Sequence, residues 1–453
     1  MPYPCLRLAD RLPSFGEMTA YIAATDKPSV ADVMAAAKRD GRVLLQPRGG
    51  VGSFDAMSRL LTDIEHGGAA DILPITVDSH TRLGRFDTAR KCLEQFPGRL
   101  NGFPVVSHGY QVLRQLSETC KTPLQIRHGS PDGRRLMAEA VAGGVTSFEG
   151  GPIGYNLPYC ADVSLEDSFA SWAEIDELAG ILTEQGHTVE REFFGSLTAV
   201  AIPPSIALSC TFIEAVCAAQ KGVRSISIAI PQGGNMVQDI AALEAIPILA
   251  KRYLPVDCAV YAVLHQFMGI FPDDRQRADA LIFSGALAGY YGGAQKIVCK
   301  THLEAKGIPD TAAILDSLIL SRAAVSGRHA SLPLDRAPIE EERNAILRET
   351  QELLDPIVWE TNVARSAIRA FHSGQMDIPF PANDAAKGDI FPLRDTTGAL
   401  RFGSIGKLPF SKQTIDRNNA FLKSMPRQPH STLVRDAVLY FSNKEPIHEY
   451  RNR

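Results

Sequence analysis

The sequence has no apolar run that approaches the roughly 18 residues of a membrane span. Its N-terminus, Met1-Pro2-Tyr3-Pro4-Cys5, has no basic segment followed by an apolar one. Neither a membrane anchor nor a secretory signal is expected. Paired cysteines are also lacking. The eight cysteines, at 5, 92, 120, 160, 210, 217, 258 and 299, form no Cys-x-x-Cys, and no Cys/His group has zinc-ligand spacing. They read as reduced core thiols of a cytoplasmic protein, and no metal site is expected from them. No charge of one sign dominates: 47 Lys and Arg face 51 Asp and Glu, a net of −4. Non-specific nucleic-acid binding wants a clustered basic face, so a nucleic-acid partner is not expected. Internal repeats and low-complexity tracts are missing too. What remains is ordinary globular composition, 45% hydrophobic and 22% charged over 453 residues. That length suits two or three domains, or one large barrel with additions.

A rhythm runs through most of the chain. The opening stretch to about residue 40 is helical in character, most clearly in VADVMAAAKR from Val30 to Arg39. Short β-prone runs then alternate with helix-like segments. Nine candidate strands are found: Val43–Gln46, Ile72–Thr76, Phe103–Val106, Leu124–Ile126, Val145–Phe148, Leu197–Ile202, Ser225–Ile230, Ala259–Leu264 and Lys296–Cys299. Alternation of this kind implies parallel βαβ units. A (βα)8 TIM barrel needs eight strands, so one candidate must lie outside it, either Leu197–Ile202 or an end member. An open doubly wound sheet is the alternative, but QPRGGVG (Gln46 to Gly52) matches neither GxGxxG nor GxxxxGK[ST]. The expected organisation is a helical segment over 1–40, the barrel over 41–330, and a helical, loop-rich C-terminal subdomain over 331–453.

The chemistry gathers just after the strands. Arg48, Arg82, Arg127, Glu149 and Lys300 each follow a candidate strand, and strand C-termini of a barrel converge on one mouth. Guanidinium groups receive carboxylates as two-pronged donors, so three of them suit a substrate with two carboxylates. Glu149 would then take a substrate ammonium or act as a base. Together they describe a site for an acidic amino acid. Any one arginine is more often a structural ion-pair partner, but all three recur at the same place in their units. Tyr155 and Tyr159 follow Glu149 closely and could close such a pocket, or simply pack in a turn. Lys300 could form a Schiff base if desolvated, or pair with Glu304 one helical turn on. Asp78-Ser79-His80 approaches the corrinoid-ligating Asp-x-His-x-x-Gly, but Leu83 stands where the glycine belongs, so it reads as a turn.

The runs QPRGGV, GGAADILPITVDSHTR, LNGFPVVSHG, PLQIRHGSPD, TSFEGGPIGYNLPY, REFFGSLT, GGNMVQDIAAL, HQFMGIFPDD, KTHLEAKGIP, MDIPF and RFGSIGKLPF resemble, in order, the large (epsilon) subunit of glutamate mutase, also called methylaspartate mutase. The resemblance extends from about residue 28 to about residue 440. It implies a (βα)8 barrel and a radical interconversion of L-glutamate and (2S,3S)-3-methylaspartate using adenosylcobalamin. It also implies a small cobalamin-binding partner subunit that carries Asp-x-His-x-x-Gly, and self-dimerisation of the large chain. By the same resemblance, Arg48, Arg82 and Arg127 form the claw on the substrate carboxylates. Glu149 holds the amino group, and Tyr155 and Tyr159 complete the pocket. Glu149 and Arg82 stand closest to the chemistry. His128 lies near substrate and corrin, and Lys300 with Glu304 contacts the adenosyl ribose. The sequence departs from the family pattern at Pro152, Gly154, His80, His302 and Leu303. Two readings outside the resemblance stay open: a Schiff-base lyase or aldolase using Lys300, and a non-catalytic barrel that binds an acidic amino acid.

Overall fold

The computed structural model describes residues 3–8, 11–195, 201–304, 306–329, 333–423 and 430–442. Eight short strands form one sheet: β1 (Leu44–Pro47), β2 (Leu73–Thr76), β3 (Leu124–Arg127), β4 (Ser147–Glu149), β5 (Glu190–Phe193), β6 (Ser225–Pro231), β7 (Ala259–His265) and β8 (Lys296–Cys299). Their order is β1-β8-β7-β6-β5-β4-β3-β2, and each paired neighbour is parallel. Across the β1/β2 seam, Asp71 N–H donates to Leu45 O at 2.9 Å and Thr76 N–H to Gly49 O at 2.9 Å. The result is the expected barrel, with helices returning the chain outside it.

Seven of the nine candidate strands coincide with barrel strands. Phe103–Val106 does not. Phe103 makes a single parallel bridge to Val77, and Val105–His108 turns into a short helix. The run Leu197–Ile202 is not a strand where it can be seen: residues 197–200 lie outside the described residues, and Ala201 and Ile202 are buried but irregular. The strand in that part of the barrel is β5, whose Glu-Arg-Glu-Phe sequence hides it from a hydropathy reading.

The floor of the barrel is closed by the N-terminal segment. The Val30–Asp40 helix starts in a capping box between Ser29 and Asp32. Its apolar residues Val30, Met34 and Ala37 fall at helical spacing and share one buried cluster with Leu44, Ile72, Val263 and Val298. After β8 the long Arg336–Val358 helix lies against the Pro204–Gln220 and Met236–Tyr253 helices. An antiparallel hairpin follows, β9 (Ile390–Arg394) with β10 (Leu400–Ile405). No described helix is long and apolar enough to cross a membrane.

Candidate active site

Side chains on a strand alternate faces, so a residue two before another points the same way. That rule builds the site from below. Gln46 lies two before Arg48, and Gln125 two before Arg127. Glu190 and Glu192 share the inner face of β5, and Lys296 rises from β8. All of these except Arg48 are buried. Glu192 Oε2 lies 2.5 Å from Lys296 Nζ and accepts from Gln125 Nε2 at 3.1 Å. Glu190 accepts from Ser147 Oγ at 2.6 Å, from Gln125 Nε2 at 3.1 Å, and from the Ser227 hydroxyl. Burial works to raise the Glu192 pKa, but Lys296 and Arg127 overrule it and hold it at about 2. A buried charge network costs desolvation and repays it only when its members are paired, as here.

Arg127 stands on this base. Its Nη1 donates to Gln125 Oε1 at 2.9 Å and Gln46 Oε1 at 3.1 Å, and lies 3.4 Å from Glu192. Its Nη2 lies 2.5 Å from Glu149 Oε2. The N–H bonds are not aimed along that contact: Glu149 Oε2 and Arg127 Nε both lack a hydrogen bond among the described residues. The guanidinium therefore keeps unused donor capacity at Nε. Glu149 Oε1 accepts the Tyr155 hydroxyl and the His128 backbone N–H, the latter at 3.0 Å. Burial lifts the Glu149 pKa above its ordinary value, against the pull of Arg127. The neighbouring Glu192 charge adds to that rise.

The other two arginines are unlike Arg127. Arg48 is half-buried and Arg82 exposed, and neither side chain makes an ion pair or hydrogen bond among the described residues. Arg82 ends the short Ser79–Arg82 helix, which Asp78 caps by accepting from His80 and Thr81 N–H at 2.9 and 3.0 Å. Its side chain lies across Gly129, where a Cβ would come within 2.9 Å of Arg82 Cδ. Any residue other than glycine at 129 would move this arginine. The field of Arg48 reaches Glu149, Lys300 and Glu304, so these groups share one mouth.

Both ring nitrogens of His128 are engaged. Nδ1 accepts from Ser130 N–H at 3.1 Å, which leaves the proton on Nε2 to donate to Glu149 O at 2.9 Å. Burial pushes its pKa down to about 3, so the ring is neutral. Tyr155 is 2% exposed, whereas Tyr159 is 48% exposed and stands at the rim. Opposite them, Lys300 Nζ lies 2.5 Å from Glu304 Oε2. Burial lowers the Lys300 pKa to about 8, against the pull of Glu304. The structure thus gathers every residue singled out in the sequence at one end of the barrel. Sequence reasoning missed the supporting floor of Gln46, Gln125, Glu190, Glu192 and Lys296. The repeated Gln-x-Arg at the ends of β1 and β3 was the available signal.

The comparisons with known proteins agree on the family of the chain. Residues 25–442 match the family model described as Methylaspartate mutase E chain (MutE). The chain belongs to the methylaspartate mutase E chain family. Curated relatives named "Glutamate mutase epsilon subunit" are similar along most of their length. The one from Halobacterium salinarum is 40% identical over 380 residues, 82% of this chain and 79% of its own. That of Desulfitobacterium hafniense is 40% identical over 395 residues, 84% and 81% of the two chains. That of Escherichia coli O157:H7 is 37% identical over 425 residues, 91% and 88%. Membership of the E chain family makes the chain a relative of mutase subunits.

Proposed function

We propose that this chain is the catalytic large subunit of glutamate mutase, which interconverts L-glutamate and (2S,3S)-3-methylaspartate. It would act with a small cobalamin-binding subunit that carries Asp-x-His-x-x-Gly, in an assembly that pairs two large chains. The observation that carries this reading is the asymmetry among the arginines. Arg127 is braced by the barrel floor and already near Glu149, while Arg48 and Arg82 stand at the same mouth without acid partners. A dianionic amino acid supplies what that arrangement lacks: two carboxylates for the claw and an ammonium for Glu149.

Each group then has a role. Arg48, Arg82 and Arg127 hold the carboxylates in register, which turns recombination of fragments into an intramolecular event. Glu149 receives the ammonium, and Tyr155 and Tyr159 screen the site from water. A buried lysine–glutamate pair offers donors and acceptors together, the complement of a vicinal diol. Lys300 and Glu304 therefore fit the ribose of adenosylcobalamin, with His128 beside the claw arginine Arg127. Adenosylcobalamin, when bound, supplies the radical chemistry, and the protein supplies position and exclusion.

The test is anaerobic incubation with a cognate small subunit, adenosylcobalamin and glutamate, followed by proton NMR. A new methyl doublet from 3-methylaspartate is expected. Absence of product with cofactor bound would overturn glutamate as the substrate. The depressed pKa of Lys300 also favours a second reading, a Schiff-base lyase. Borohydride trapping of a carbonyl substrate on Lys300 would support it. The Glu304 carboxylate beside the amine predicts no trapping.

A further inference from the structure

The turn that carries Tyr155 and Tyr159 is gripped from two sides by parts of the chain remote in sequence. On the Tyr155 side, Glu214 from the Pro204–Gln220 helix accepts Ile153 N–H at 2.7 Å and Gly154 N–H at 2.8 Å. The approach is so close that a Cβ on Gly151 would lie 2.5 Å from the Glu214 carboxyl. On the Tyr159 side the grip comes from the C-terminal subdomain. Ala382 and Asn383 N–H both donate to Leu157 O, at 2.8 and 3.1 Å. Asn383 Nδ2 donates to Cys160 O and to Val163 O, each at 2.8 Å. The segment that presents Asn383 is itself locked. Buried Asp377 accepts Ile378, Lys387 and Gly388 N–H on one oxygen, each at 2.9 Å, and Asp389 N–H on the other at 2.8 Å.

We infer that Glu214 and Asn383 are positioning residues for the substrate-facing tyrosines, so that the C-terminal subdomain is part of the active-site architecture. This inference rests on the reading of the barrel mouth as the glutamate site. Neither residue faces the mouth; each acts on backbone groups of the turn. Both are nearly wholly buried, at 1% for Glu214 and 3% for Asn383. Tyr155 contributes by touching Glu149, so a displaced turn misplaces the tyrosine and the carboxylate together. Burial also pushes the Glu214 pKa up to about 8, which makes it mostly a neutral acid at pH 7. Glutamine should replace it well, and leucine should not.

Asn383→Asp tests the C-terminal jaw. It retains the oxygen that accepts Ala385 N–H at 3.1 Å but loses the donors to Cys160 and Val163. Asn418→Asp is the matched control. Asn418 bridges Phe402 N–H and O within the same subdomain, at 2.9 and 2.8 Å, and does not touch the turn. Hydrogen exchange read by mass spectrometry on the full chain should show faster exchange over residues 150–163 in Asn383→Asp and not in Asn418→Asp. In the reconstituted enzyme, Asn383→Asp and Glu214→Leu should raise the glutamate KM about tenfold or more, with a smaller fall in kcat. Glu214→Gln keeps an acceptor and should stay near wild type, while Glu214→Leu, which fills similar space without one, should not, and packing alone would not separate the two. Unchanged exchange over the turn, a KM within about twofold of wild type, or an equal shift in Asn418→Asp would overturn the inference. A wild-type enzyme inert towards glutamate would instead defeat the substrate reading, and exchange over the turn would still decide whether the clamp exists.

Discussion

A single guanidinium illustrates how much a residue owes to what lies under it. Arg127 is positioned by four partners from β1, β3, β4 and β5, whereas Arg82 depends on a four-residue helix and a glycine. Arg82 is therefore the claw member most dependent on its own head-group shape. Replacing it by lysine keeps the charge and removes the planar fork. Arg82→Lys should lower kcat/KM for glutamate by about a hundredfold, measured with the reconstituted enzyme. Near-normal turnover would remove Arg82 from the claw. That the three arginines lie at one mouth was legible, because each follows a strand, and strand ends converge. What the residues contact was not legible. Nothing in the spacing says that Arg127 is paired and that Arg48 and Arg82 are not. The protonation of His128 was equally hidden, since it follows from Ser130 and the Glu149 carbonyl.

At the level of elements, β5 is the instructive case. Its Glu190 and Glu192 point inward among strands that otherwise read as apolar, and its Arg191 points outward to Asp176 at 2.8 Å. Hydropathy sees three charges and calls a loop, while alternation would have seen a strand with a polar inner face. The opposite error befell Phe103–Val106, where three β-prone residues flank Pro104 and are used as a turn into a helix. The inner face of β5 also makes an energetic prediction. Lys296→Met strands the Glu192 charge in the barrel and should cost about 3–5 kcal/mol in chemical denaturation. The double variant Lys296→Met with Glu192→Gln removes both charges and should recover much of that loss. A double variant as unstable as the sum of its parts would show that Glu192 is held mainly by Arg127.

For the whole molecule, buried carboxyls set the response to pH. Burial pushes Glu139 and Glu349 up to about 7, Glu214 to about 8 and Asp239 to about 6. A carboxyl raised in this way binds its proton more tightly folded than unfolded. Its contribution is complete below the unfolded value, and is lost as pH rises through the folded one. Glu192 runs the other way: held at about 2, it contributes above its ordinary value of 4.5 and loses this as pH falls. Thermal denaturation should therefore show Tm falling between roughly pH 5 and pH 8, with Glu214→Gln flattening the fall. A Tm that rises across that range would contradict the burial of these groups. The barrel and its flanking segments could be expected from strand rhythm, but the use of the last segment could not. Local pattern carries no trace of a contact between residues 220 apart, such as Asn383 with Val163.

That contact has a consequence in time. The eight strands are complete by residue 299, and Glu214 already holds one side of the tyrosine turn, yet its second grip comes only with residue 383. On the ribosome the three arginines are therefore in place before the turn is held from both sides. A chain cut short by translation or proteolysis after β8 would carry the arginines over an open, wet mouth. Completion of synthesis is thus the last step in assembling the mouth.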